Sequence, residues 1–195
     1  MTAIVARALV ASDHAALLEL MARAHNGCFC RWWHHDGDDM SWQARCNLEP
    51  QLNRAAMGAA LDEGNASAEG VVALAGDALV GWLKLCPAPA MAKLFGRRVY
   101  RTLDVFGGPR DDVLIVGCVL VDAAWRRQGV CRAMIEAALC VARARGARAV
   151  EAFPRRPRET VRDDEMWMGP PSTLLACGFE EIAGPEPYPV LRCVL

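Results

Sequence analysis

The hydrophobic pattern is strongest in the middle of the chain. From Val113 to Val121 every residue except Gly117 is apolar, which is typical of a strand that is buried on both faces. A short polar turn rich in arginine follows, and apolar residues then recur at helical spacing from Met134 to Ala142. The pattern therefore predicts a strand, a basic turn that contains glycine, and an amphipathic helix that ends near Arg145 and Gly146.

The region before this strand predicts two helices and three strands. The first helix has capping residues at Ser12 and Asp13, and Asn26 and Gly27 are suited to end it. Gly76 lies in a turn signal between two apolar runs, which indicates a hairpin. The expected elements are a strand Ile4–Val10, helices His14–Ala24 and Pro50–Leu61, and hairpin strands Gly70–Ala75 and Leu79–Cys86.

The region after the central helix predicts mainly short elements. A highly charged segment that begins at Pro154 lacks apolar periodicity and is expected to be an exposed loop. The expected elements are a strand Ala147–Phe153, a helix Ser172–Cys177, a strand that begins at Gly178, and a last strand Tyr188–Leu195.

A long connection, Pro87–Asp112, has little periodicity, and such loops are usually functional or mobile. A short helix within it is expected around Leu94 or Val99. Its basic residues either form a solvated face or help to bind an anionic group; they are Lys93, Arg97, Arg98 and Arg101.

Composition limits the class of protein. A chain of 195 residues is suited to one domain, 1–195, with a sizeable core. The net charge of −1 gives no support for nucleic-acid binding, and no apolar run approaches the length of a membrane span. No signal peptide is recognisable at the N-terminus, and most of the nine cysteines lie in apolar contexts. We therefore expect reduced thiols in a cytoplasmic protein, a monomer or a homodimer, without nucleic-acid or membrane partners.

One segment, from Gly27 to His35, is unusually rich in cysteine, histidine and tryptophan. Three interpretations stay open: an aromatic cluster packed beside a cleft, the walls of an acceptor pocket, or a metal or redox site. The third would use Cys28, Cys30 and His34, but the segment lacks the two Cys-x-x-Cys-like pairs of a structural zinc site. No metal site is therefore predicted.

The turn before the central helix is a candidate anion site. Gly129 would let backbone N–H groups approach a ligand closely, and the helix start adds unpaired donors and a positive dipole end. Arg126, Arg127 and Arg132 add fixed positive charge. The alternative is an ordinary tight turn whose basic side chains are solvated.

Three features resemble the GCN5-related N-acetyltransferases, the GNAT superfamily. The run Arg126-x-x-Gly129-x-Cys131 is similar to its Arg/Gln-x-x-Gly-x-Gly/Ala signature, with cysteine in the last position. Gly81-Trp82 resembles the centre of the family's third strand, and Gly178-Phe179 resembles the end of its last motif. The Cys-x-Cys-x-x-Trp run after the first helix is similar to that of a bacterial subgroup. The resemblance implies an α/β (α+β) fold, in which about four helices flank a mixed, mostly antiparallel sheet of six to seven strands.

The resemblance also implies a function and a donor site. The expected activity is transfer of an acetyl group from acetyl-CoA to a primary amine of a small molecule, peptide or protein, by direct attack in a ternary complex. Backbone groups at the end of the central strand would pair with the pantetheine; these are Val119, Leu120 and Val121. The turn would hold the pyrophosphate; its residues are Arg126, Arg127, Gln128, Gly129, Val130, Cys131 and Arg132.

The catalytic groups cannot be transferred from the family. Its usual glutamate falls at Gly117 or Cys118, and its usual tyrosine falls at Leu174. The remaining candidates for acid–base catalysis are Glu151, His34, His35 and Ser172.

Glu151 is equally expected to be a structural carboxylate that pairs with an arginine. Cys118 could in principle be acylated, but a buried thiol in a valine-rich strand is expected to be inert. The missing groups also motivate a second hypothesis, a non-catalytic acyl-CoA sensor or interaction module on the same fold.

Overall fold

A computed structural model describes residues 2–24 and 27–195. Within this part the chain forms a seven-stranded sheet with helices on both faces. The strands are β1 (Ile4–Ala8), β2 (Gly70–Ala75), β3 (Ala78–Pro87), β4 (Val113–Val121), β5 (Ala149–Ala152), β6 (Glu180–Ala183) and β7 (Val190–Val194). The α-helices are α1 (His14–Arg23), α2 (Asp39–Leu48), α3 (Pro50–Asp62), α4 (Ala92–Phe95), α5 (Val130–Ala144) and α6 (Pro171–Ala176).

The sheet order is β1-β2-β3-β4-β5-β7-β6, and β4 and β5 are its parallel pair. This pairing runs only from Val113 opposite Ala149 to Val116 opposite Ala152. Beyond Val116, β4 continues to Val121 along β3 alone, so the two parallel strands diverge and leave one edge of β4 open. The expected mixed, mostly antiparallel sheet is confirmed, and the divergence creates a cleft within it.

Two hydrophobic cores cover the faces of the sheet. On one face α5 inserts Met134 and Ile135, which are fully buried against β2, β3 and β4. On the other face α1 and α3 bury Leu17 and Met57 near Trp82. Full burial of such a side chain contributes roughly 1.5–3 kcal/mol, so all three helices are fixed firmly on the sheet.

Helix α2 was not predicted from the sequence. None of its residues is buried, so it lacks the apolar stripe on which the prediction of a helix depends. It begins with a local signal instead: the Asp38 side chain accepts a hydrogen bond of 2.8 Å from the Ser41 N–H. The predicted end of α1 at Asn26 lies outside the described residues.

The long connection after β3 is ordered by an aromatic cluster. Phe95 from α4 packs against Phe106 and Phe153, and Tyr100 contacts the same rings. The guanidinium of Arg110 lies over Phe95 and Phe106, with distances of 4.6 and 4.8 Å to the ring centroids.

Within the described ranges no helix combines the length and the apolar character needed to cross a bilayer.

Candidate active site

A cleft of about 970 Å³ opens where β4 leaves β5. Its walls come from the end of β4, the turn before α5, the start of α6, the segment 157–167 and the segment that precedes α2. Every donor-site residue predicted from the sequence lines it except Gln128, whose side-chain amide donates to the Ala124 carbonyl at 2.8 Å. The ones that line it are Val119, Leu120, Val121, Arg126, Arg127, Gly129, Val130, Cys131 and Arg132.

The turn before α5 has the backbone shape of an anion site. Gly129 caps the helix with a φ of 82°, a left-handed conformation that suits glycine, and Arg127 has a φ of 60°. The first N–H groups of α5 therefore point out of the helix start without helical acceptors. Cys131 is half-buried here, and burial raises the pKa of its thiol to about 11, so this thiol stays neutral.

Two arginines beside the helix start, Arg127 and Arg132, form exposed ion pairs. Arg127 pairs with Asp163 at 2.5 Å, and Arg132 pairs with Glu136 at 2.8 Å. Exposed pairs of this kind are worth about 0–1 kcal/mol, so a phosphate group can replace either carboxylate at little cost. Arg126 donates to a β4 carbonyl at 3.3 Å and lines the cleft beside them.

One backbone group of the open β4 edge is already bonded. The N–H of Val119 donates to the carbonyl oxygen of Trp167 at 2.7 Å. The Trp167 ring lies 5.6 Å from that of Trp33, so the segment after β5 is anchored across the cleft by a hydrogen bond and an aromatic contact. Any ligand that pairs with the Val119 N–H has to displace this carbonyl.

The catalytic candidates from the sequence lie in three different places. Ser172 is exposed at the start of α6 and lines the cleft. Glu151 is fully buried outside the cleft lining, where Arg110 and Arg192 donate to its carboxylate at 2.5 and 2.7 Å. His34 lines a second, smaller cavity. The structure therefore does not bring these residues together, and it gives Glu151 the contacts of a structural carboxylate.

His34 is bonded to a group that sequence reasoning missed. Its Nε2 lies 2.8 Å from the Nζ of Lys84, a fully buried lysine on β3. Burial, followed by the charges of Lys84 and Arg31, lowers the pKa of His34 to about 3, so the ring is neutral and accepts from the lysine. The signal in the sequence was a single lysine inside the apolar run of β3.

The aromatic segment and the start of α2 form a further part of the cleft wall. Trp32 and Trp42 pack at 5.4 Å between ring centroids and line the cleft together with Cys30 and Asp39. Lys93 lies over the Trp32 ring at 3.8 Å. In the described part of the chain, no group of three or more histidine, cysteine or acidic side chains could hold a metal ion.

Solved structures share the fold along almost the whole chain. An acetyltransferase of the GNAT family from Streptococcus pneumoniae matches with a TM-score of 0.58 at 12% identity, covering 99% of both chains. The PaiA N-acetyltransferase of Thermoplasma acidophilum, solved with coenzyme A, matches with a TM-score of 0.54 at 9% identity, covering 99% of both chains. YncA of Salmonella typhimurium, a putative acetyltransferase solved with acetyl-CoA, gives 0.55 at 15% identity, covering 99% of this chain and 94% of its own.

No curated protein sequence matches the chain significantly. The family model described as "Acetyltransferase (GNAT) family" matches residues 31–162, which include β2, β3, β4, α5 and β5. This match spans more than half of the chain and includes the turn, the open β4 edge and the part of the aromatic segment from residue 31 onwards. The chain therefore belongs to the GNAT acetyltransferase family.

Proposed function

We propose that this protein is an acetyl-CoA-dependent N-acetyltransferase that transfers the acetyl group to a primary amine by direct attack in a ternary complex. The observation that carries the proposal is the cleft at the β4–β5 divergence. It places an open strand edge next to a helix start and the turn before it, which together carry three arginines. Solved relatives of the same fold contain coenzyme A and acetyl-CoA, which supports this choice of donor.

The cleft has the chemistry that acetyl-CoA needs. The first turn of α5, with Arg127 and Arg132, offers N–H donors and positive charge for the pyrophosphate. The β4 edge offers backbone groups for the pantetheine amides. The Val119 N–H is included once Trp167 has released it.

The aromatic part of the cleft wall favours a cationic acceptor. Trp32 and Trp42 supply aromatic faces, and Asp39 adds a carboxylate on the same side of the cleft. Aromatic faces and a carboxylate attract an ammonium group while apolar surroundings favour its neutral form. The acceptor is therefore proposed to be a primary amine of a small molecule or peptide.

Several finer predictions from the sequence stay predictions. These are membership of the bacterial subgroup with a Cys-x-Cys-x-x-Trp segment, a single domain over 1–195, a monomer or homodimer, a cytoplasmic location and the lack of nucleic-acid partners.

Calorimetric titration with coenzyme A tests the donor site. We expect stoichiometric binding by the wild-type protein and at least tenfold weaker binding by Arg132→Ala, because a charge-assisted contact to phosphate is worth about 1.5–3 kcal/mol. Arg148→Ala is the matched control, since Arg148 is exposed and pairs with Asp112 outside the cleft. A wild-type protein without detectable binding would refute the proposal. Tight binding without transfer to any amine in a broad panel would favour the acyl-CoA sensor.

A further inference from the structure

Two cysteines from separate elements line the cleft and share a hydrogen bond. Cys30, from the aromatic segment, and Cys118, from β4, belong to the same buried cluster and both line the cleft. The indole N–H of Trp82 donates to the Cys30 sulfur at 3.4 Å. Phe29 and Cys30 adopt φ values of 46° and 58°, a left-handed backbone that is unfavourable for side chains of this kind. Such strain is found where a site holds a side chain in a required position.

The buried Lys84 provides positive charge beside this pair. It has no exposed surface, and its Nζ donates to the Ser67 carbonyl at 2.5 Å and to neutral His34 at 2.8 Å. Among the residues that the structure describes, no carboxylate forms a salt bridge with it. A buried ammonium without a negative partner is costly, so a thiolate at Cys30 would compensate it.

Gly117 connects this lysine to the missing family glutamate. A Cβ atom at Gly117 would lie 2.6 Å from Cδ and 2.9 Å from Cγ of Lys84, so glycine leaves room for the lysine stem to pack against β4. The strand position next to it is Cys118. At the two positions where the family usually has its glutamate, this chain therefore has a glycine that packs against Lys84 and a cysteine.

The surroundings shift the pKa values of the two thiols in opposite directions. Burial alone would raise the pKa of Cys30, but the hydrogen bond with Cys118, the charge of Lys84 and the Trp82 N–H lower it below its usual range. The Cys118 pKa is raised by the same hydrogen bond and by burial. The titratable and charged groups that act on Cys30 or Cys118 are Cys28, Arg31, Lys84 and the two thiols themselves.

We propose that Cys30 and Cys118 form the acid–base pair of the acetyl transfer, with Cys30 as a thiolate base and Cys118 as a thiol acid. Lys84 is the positioning residue, which holds the negative charge on Cys30. The assignment rests on the proposed acetyltransferase function and supplies the two groups that the sequence lacks at the usual positions. When the environments of two neighbouring titratable groups move their pKa values apart, one group is suited to act as the base and the other as the acid.

The proton balance closes within the pair. The nitrogen of the neutral amine bonds to the thioester carbon, and the carbon–sulfur bond to coenzyme A breaks. Cys30 takes the proton that the nitrogen loses, and Cys118 gives its proton to the departing coenzyme A sulfur. The proton on Cys30 then passes to Cys118 through their shared hydrogen bond, which restores the starting state without an oxidant or a metal ion.

Steady-state kinetics of single variants tests the assignment. Cys30→Ala and Cys118→Ala are each expected to lower kcat about a hundredfold or more, as removal of an acid–base group does, while calorimetric affinity for coenzyme A stays within threefold of wild type. Cys86→Ala is the matched control, because Cys86 is equally buried on β3 but does not line the cleft. We expect it to keep wild-type kcat.

The pH profile separates catalysis from a structural effect. The lower limb of kcat/KM should lie below the usual range of a thiol, and Cys118→Ala should move it to higher pH, because the hydrogen bond that lowers the Cys30 pKa is lost. Lys84→Met should move it in the same direction. A limb that stays in place in both variants would contradict the assignment.

Alkylation by iodoacetamide gives a readout that needs no folded variant. In wild-type protein, mass spectrometry should find Cys30 modified faster than Cys86 near neutral pH, with protection by coenzyme A. Slow modification of Cys30 at all pH values would contradict the assignment of Cys30 as a thiolate. An acetyl-Cys30 thioester formed as fast as turnover would make Cys30 a nucleophile and overturn the base role. If wild-type protein transfers no acetyl group at all, the proposed function itself fails. A Cys30→Ala variant with wild-type kcat would instead refute only the assignment of Cys30 and Cys118 as the acid–base pair.

Discussion

Replacement of Glu151 by glutamine separates a structural carboxylate from a catalytic one. Glu151 has no exposed surface, and it receives hydrogen bonds from Arg110 and Arg192 at 2.5 and 2.7 Å. The substitution keeps the size of the side chain and removes its charge, so two guanidinium groups lose their partner in a buried site. Breaking a buried ion pair in this way costs about 3–5 kcal/mol.

The lower end of this range applies here. The side chains of Arg110 and Arg192 are 12% and 27% exposed, so water can partly solvate both once the carboxylate is gone. We therefore expect Glu151→Gln to lower the free energy of unfolding by about 3 kcal/mol. For a protein of this size, that corresponds to a decrease in Tm of roughly 6–12 °C.

Urea denaturation and thermal melting measure the loss, and kcat is compared at a temperature at which both proteins are fully folded. Because Glu151 lies outside the cleft lining, kcat should stay within twofold of wild type. Glu180→Gln, an exposed change on β6, is the control and should alter stability by less than about 0.5 kcal/mol. A Glu151→Gln protein with wild-type stability and a large loss of kcat would refute the structural role.

Three further changes test other parts of the molecule. Asp163→Asn removes the carboxylate that competes with a phosphate group for Arg127, so the KM for acetyl-CoA should fall about two- to fivefold. An unchanged or higher KM would show that Asp163 does not compete with the ligand. Asp13→Asn breaks the bonds from Arg7 that lower the pKa of Asp13, and should cost about 1.5 kcal/mol of unfolding free energy at neutral pH. Since the pKa is lowered in the folded state, the difference from wild type should disappear as the pH falls below about 4, and a difference independent of pH would count against the ion pair. Trp167→Phe should remove most of the change in tryptophan fluorescence that coenzyme A causes in wild type, because ligand binding displaces the segment that carries Trp167; an undiminished change would show that another tryptophan reports binding.

The parts of the fold that the sequence predicted are those with an unambiguous hydrophobic period. The bounds of β4 were predicted correctly because a glycine and eight apolar residues lie between polar neighbours. Helix α5 was predicted because buried residues recur on one face and Gly129 precedes it. Helix α2 was missed because none of its residues is fully buried and its start is fixed by a cap, a signal that periodicity does not detect.

The candidate site also has a part that could be predicted from the sequence and a part that could not. The donor turn could be predicted because its residues follow one another in the chain, so that the motif and the structure coincide. The pair of Cys30 and Cys118, with the charge of Lys84 acting on it, could not be predicted because the three residues come from separate elements that approach one another only when the sheet has formed. A lysine within an apolar strand and a glycine at the usual glutamate position were the traces that they left in the sequence.

We propose that the cleft binds acetyl-CoA and transfers its acetyl group to an amine. Release of coenzyme A thiol from acetyl-CoA by the wild-type protein, assayed with a panel of primary amines and with mass spectrometry of the products, measures this transfer. Thiol release should depend on the amine and be matched one to one by an N-acetylated product. Binding of acetyl-CoA without amine-dependent thiol release for any member of the panel would refute the proposed transfer.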